Sequence, residues 1–123
     1  MKKNNKKQNA GVWIDNQKAM IITADGADFS IKEKLKADEN FGGGSEHSIN
    51  NAKQSGNLKY FKAISGRLLN YDEILIFGPG KAQEQLQNHL EEDAQFNNKK
   101  ITVDSAEHIT EPQMIAMVRD FFK

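Results

Sequence analysis

The chain has 123 residues, 37% of them apolar and 28% charged, which suits a single domain with a modest core and is too little for two independent cores. Its 17 Lys/Arg and 17 Asp/Glu leave a formal net charge of zero, and a balanced charge argues against strong nonspecific binding to nucleic acid. There is no cysteine, so a disulfide framework, a thiolate metal site and a thiol nucleophile are all excluded.

The balance hides an asymmetry. Residues 1–70 carry 12 Lys/Arg against 7 Asp/Glu, and residues 71–123 carry 5 against 10, so the halves stand at +5 and −5. A polyanion would meet the first half. Met1 to Asn9 is lysine and asparagine with nothing to bury, and reads as a flexible basic tail ahead of a single domain over residues 10–123. The tail lacks the apolar segment of a secretory signal, and no apolar run reaches the roughly eighteen residues of a membrane span. The expected location is cytoplasmic, with no membrane partner.

GVWID and KAMIITA flank the polar pivot Asp15-Asn16-Gln17 and predict a hairpin. Gly26, in the turn Ala24-Asp25-Gly26, is suited to positive φ. The following ADFSIKEKL alternates Phe29, Ile31, Glu33 and Leu35 with exposed positions, as a third strand with one wet face. The glycines Gly42, Gly43 and Gly44 lie in a stretch with few apolar residues and no periodicity, which predicts a mobile loop over about 37–55. From Gly56 the spacing turns helical, with Leu58, Phe61, Ile64 or Ser65, and Leu68 on one face and Lys59, Lys62 and Arg67 toward solvent.

Ile74 to Phe77 is an apolar run too short for a helix, the pattern of a central strand covered on both faces. Gly78-Pro79-Gly80 turns the chain, and Ala82, Leu86 and Leu90 repeat at helical spacing. KITVD, Lys100 to Asp104, makes a further short strand. Thr110-Glu111-Pro112-Gln113 has the form of a capping box opening a last helix, whose stripe is Met114, Ile115, Val118, Phe121 and Phe122. The order is β-β-β-α-β-α-β-α. Right-handed crossovers set the fourth and fifth strands parallel to the first. The expected fold is therefore α/β and ribonuclease H-like, a mixed five-stranded sheet of order 3-2-1-4-5 with helices on both faces.

That topology raises metal-dependent phosphodiester hydrolysis, for which Asp15 and Asp104 are the candidate carboxylates. The fourth strand offers no partner carboxylate, and turn or cap roles serve both residues equally well. His47, His89 and His108 have no metal-ligand spacing, so no metal or other cofactor is expected. Gly78, Gly80 and Lys81 form a candidate anion site at a strand-to-helix turn, but without Walker spacing; a tight turn needing glycine explains them as well. Lys53, Lys59, Lys62 and Arg67 interleaved with Tyr60 form a candidate RNA surface, against the alternative of an amphipathic helix with lysines on its wet side.

GVWIDNQKAMIITADG, the glycine loop before a basic helix, YDEILIFGPGKAQEQLQNHL and ITVDSAEHITEPQMIAMVRDFF together resemble the middle domain of the class-one peptide release factors of eukaryotes and archaea and of pelota, and its small bacterial relatives. The likeness covers roughly residues 10–122. In release factors this domain's loop carries a Gly-Gly-Gln motif that enters the peptidyl-transferase centre. Here the corresponding string is Gly42-Gly43-Gly44-Ser45, so the resemblance carries over the glycines and not the catalytic glutamine. It implies a noncatalytic, translation-associated factor that binds ribosomal RNA or tRNA through Gly42, Gly43, Gly44, Lys53, Lys59, Tyr60, Lys62 and Arg67, with the ribosome or tRNA as partner. The alternatives are a protein-interaction module that kept the fold without RNA binding, and a metal-dependent phosphodiesterase. The oligomeric state is left open.

Overall fold

The computed structural model describes residues 8–26, 28–37 and 49–123, and side chains within the first helix from residue 58 onward. Five strands form one sheet: β1 (Asn9–Ile14), β2 (Lys18–Asp25), β3 (Asp28–Lys36), β4 (Glu73–Gly78) and β5 (Lys100–Ser105), in the order β3-β2-β1-β4-β5. β1 pairs antiparallel with β2 and parallel with β4, and β4 pairs parallel with β5. Helices α1 (Ile49–Leu68), α2 (Ala82–Glu91) and α3 (Glu111–Phe121) complete the expected ribonuclease H-like architecture.

Alternation along the central strands builds two cores. Ala10, Val12, Ile14, Ala19, Ile21, Ile74 and Ile76 face α1 and α2, where Tyr60, Ile64, Leu68, Leu86 and Leu90 meet them. Trp13, Met20, Ile22, Leu75 and Phe77 face α3 through Met114 and Val118. Each large side chain fully withdrawn from water contributes about 1.5–3 kcal/mol. β1 and β4, buried on both faces, therefore form the stable centre of the molecule.

Two glycines are required by close approach. A Cβ at Gly11 would run into the Val118 side chain, so its absence lets α3 lie down on β1. A Cβ at Gly78 would collide with the carbonyl oxygen of Ile14. The Gly78 carbonyl in turn accepts from Ala106 N at 2.8 Å and from Gln83 Nε2 at 2.9 Å, joining the starts of α2 and of the β5–α3 loop. Gly26 has φ of 75°, as the turn demanded. Asn9 is in β1, and the Gln8 main-chain N–H donates to the Asp72 carboxylate at 2.9 Å.

Three expectations need correction. α1 starts at Ile49, inside the span read as loop; INNAKQSG has no apolar stripe, yet a helix already anchored by Tyr60, Ile64 and Leu68 extends backward without a new nucleation cost. The buried stripe of α1 runs through Tyr60, Ile64 and Leu68, while Leu58 is 49% exposed. In α3, Phe121 is 40% exposed, whereas Phe122 is half-buried and stacks on Phe29 with ring centroids 6.1 Å apart.

β3 also departs from simple alternation. Ile22 lies opposite Ile31 and Ile21 opposite Glu33, so Lys32 is an extra residue in a bulge. Phe29 and Ile31 pack on the α3 side, whereas Leu35 belongs to the core under α1. The charges follow the same switch: Glu33 pairs with Arg67 of α1 at 2.8 Å, and Lys34 with Glu111 of α3 at 2.9 Å.

Candidate nucleic-acid interface

Of the residues expected to contact RNA, Gly42, Gly43 and Gly44 lie outside the described residues, as does the side chain of Lys53. The rest sit on the second half of α1, and their environments differ sharply.

Lys62 is exposed and Lys59 half-buried. Tyr60, expected to interleave with these lysines, is instead in the core at 1% exposure. Its hydroxyl donates to the main-chain carbonyl oxygen of Asp15 at 3.2 Å, and its ring stacks on Phe61 at 5.7 Å. No base can stack on it while the helix stays packed. Burial first, and the nearby Asp15 charge second, push its phenol well above the ordinary tyrosine range. Period-four spacing with Ile64 and Leu68 was the signal that could have revealed this. Arg67 is likewise engaged: Nε donates to Glu33 and Nη1 donates to the Ala63 carbonyl, each at 2.8 Å. It ties α1 to β3.

A second set of residues meets at the C-terminal ends of the central strands, where α/β sheets commonly hold ligands. A cleft of about 360 Å³ is lined by Asp15, Asn16, Gln17, Pro79, Gly80, Lys81, Ala82 and His108. The Asp15 carboxylate accepts from Gln17 N and Lys18 N, both at 2.8 Å, in an Asx turn that closes the β1–β2 hairpin. Its other oxygen lies 3.3 Å from His108 Nε2. His108 packs against Trp13 with ring centroids 5.7 Å apart.

Lys81 caps α2 from a helical backbone conformation without a side-chain cap bond, leaving the amides of the first turn toward the Gly78–Lys81 turn. Asp15 sets a negative charge in the same cleft. The need for Gly78 is already met by its contact with Ile14, and a Cβ at Gly80 would meet open space.

Asp15 and Asp104 do not share a site. Phe77 of β4 is in register with both Trp13 and Asp104, so a whole strand separates the two strand ends. Asp104 Oδ1 accepts from Ser105 N at 2.8 Å. Among the described residues no group of three or more His, Asp or Glu is placed to hold a metal ion, and no described helix is long and apolar enough to cross a membrane.

No family model matches the sequence. No curated protein matches it either. Solved structures do. Archaeoglobus fulgidus Pelota superposes with a TM-score of 0.65 at 12% identity, over 94% of this chain and 32% of that one. The fold is that of a segment of Pelota. Thermoplasma acidophilum Pelota matches with a TM-score of 0.57 at 20% identity, over 86% of this chain and 30% of that one. The archaeal translation termination factor aRF1 matches at 0.55 and 15% identity, over 92% of this chain and 34% of that one. This chain therefore spans about a third of each of these proteins. The resemblance to Pelota and the termination factor that the sequence strings suggested holds at the level of the fold.

Proposed function

We propose that this protein is a noncatalytic, translation-associated factor that contacts ribosomal RNA or tRNA through its glycine-bearing segment and α1. What carries the reading is the fold, shared over nearly the whole chain with segments of Pelota and of a translation termination factor. The charge distribution supports it, because the lysine-rich half contains the residues assigned to the contact. Lys62 and Lys59 are the working side chains among the described residues. Lys53 and Gly42, Gly43 and Gly44 complete the surface, while Tyr60 and Arg67 hold the helix in place. Gly78, Gly80 and Lys81 have a smaller part, as a contact for a single phosphate at the start of α2.

The test is sedimentation with ribosomes in a low-salt gradient. Wild-type protein is expected in the ribosomal fractions, and Lys59→Glu/Lys62→Glu at the top of the gradient. A wild-type protein that stays off ribosomes, or a double variant that still co-sediments, removes the reading.

The burial of Tyr60 and the pairing of Arg67 favour a second reading, in which the fold serves protein interaction without RNA. Partners retained after nuclease treatment, and lost with substitutions away from Lys59 and Lys62, would select it.

A further inference from the structure

The two edges of the sheet are built differently. β3 is bulged at Lys32 and also carries Lys34 and Lys36, the features by which sheets keep other strands from adding to an edge. β5 has no bulge and a single lysine, Lys100, with Asp104 near its other end. It runs in unbroken register with β4 from Lys100 to Ser105, contains neither proline nor a bulge, and pairs with no other strand among the described residues. Ile101, Thr102 and Val103 at its centre are β-branched and only half-buried. α3 packs mainly on β3 and β1.

The residues along this edge complement themselves. If two copies of β5 run antiparallel with Thr102 opposite Thr102, then Lys100 falls opposite Asp104 at both ends and Ile101 falls opposite Val103. Lys100, Thr102 and Asp104 share one face of the strand; Ile101 and Val103 share the other, on the side of α1 and α2. Lys100 and Asp104 are both exposed. Lys100 lies 3.9 Å from Glu73 of its own chain, a distance that leaves its ammonium able to take a closer carboxylate. Asp104 uses one oxygen on Ser105 N.

We propose that the β5 edge joins a second copy of this chain, forming a twofold dimer with one continuous ten-stranded sheet. The dyad passes between the two Thr102 residues, as an isologous contact requires. Main-chain hydrogen bonds supply the pairing. The Lys100–Asp104 pairs fix the register, because a slip by one residue would turn Ile101 and Val103 away from their counterparts.

Charge reversal tests this directly by sedimentation velocity on the full chain from low to high micromolar concentration. The wild type is expected to dimerise. Lys100→Asp alone sets Asp against Asp across the dyad, and Asp104→Lys alone sets Lys against Lys, so each should raise the dissociation constant about tenfold or more. An equimolar mixture of the two variants pairs opposite charges at both ends and should form heterodimers. The double variant Lys100→Asp/Asp104→Lys should dimerise again. The mixture controls for folding, since chains unfolded by either change would not associate in this pattern. A wild type that stays monomeric across the range, single variants that dimerise as tightly as the wild type, or a mixture that remains monomeric overturns the proposal.

Discussion

The Tyr60 hydroxyl donates to the Asp15 carbonyl oxygen at 3.2 Å, linking the middle of α1 to the turn between β1 and β2, 45 residues earlier in the chain. Through Asp15 the same turn reaches His108, ahead of α3. One residue thus connects α1, on one face of the sheet, with the segment that leads into α3 on the other.

Tyr60→Phe keeps the ring and loses this bond, and should lower unfolding free energy by about 0.5–1.5 kcal/mol in urea titration. Tyr60→Ala should cost about 3–5 kcal/mol, because it also empties a core position. Equal losses for the two variants would show that the ring contributes nothing.

Alkali should act through the same phenol. Its folded pKa is raised, so its stabilising effect is complete below the unfolded tyrosine value of about 10 and is lost as pH rises from there toward the folded value. Wild-type stability should therefore fall more steeply above about pH 10 than that of Tyr60→Phe. Parallel curves in this range would remove Tyr60 as the cause.

Gly11→Ala forces a methyl group toward Val118 and should destabilise by about 1–3 kcal/mol. Val118→Ala makes room for it. The double variant should be more stable than the sum of the two single losses predicts, and a double-mutant cycle measures that coupling.

Thr110 accepts from Gln113 N, and the Gln113 side chain accepts from Thr110 N at 2.8 Å, closing the capping box of α3. Thr110→Ala should cost about 1 kcal/mol in thermal or chemical unfolding.

Arg67→Gln removes an ion pair whose partners are both more than a third exposed, so the expected loss is only about 0–1 kcal/mol, smaller still at high salt. A larger loss would mean that the bond to Ala63 does most of the anchoring.

The sheet was legible because its signals are local. Ile74 to Phe77 spells a doubly covered strand, Gly26 marks a turn, and Thr110 with Gln113 marks a helix start, each within a few residues. Strand order then followed from handedness. The candidate surface was harder to read because the side of α1 that faces inward depends on how the helix seats on the sheet. Lys59, Tyr60 and Lys62 look like one polar stretch in sequence, yet the helical turn sends Tyr60 into the core and leaves Lys62 in water. The bulge in β3 was hidden for a related reason: Phe29, Ile31 and Leu35 keep perfect period two, and only their partners on β2 reveal that the strand changes face between them.

That bulge makes Lys32 a spare residue. Deleting it would leave Ile31 opposite Ile22 and Glu33 opposite Ile21, so Phe29, Glu33, Lys34 and Leu35 would all keep their present sides in a straight, regular strand. The fold should survive the deletion. What would disappear is the kink, leaving Lys34 and Lys36 as the remaining guards of this border, and the shortened chain should self-associate more readily through β3 than the full-length chain does.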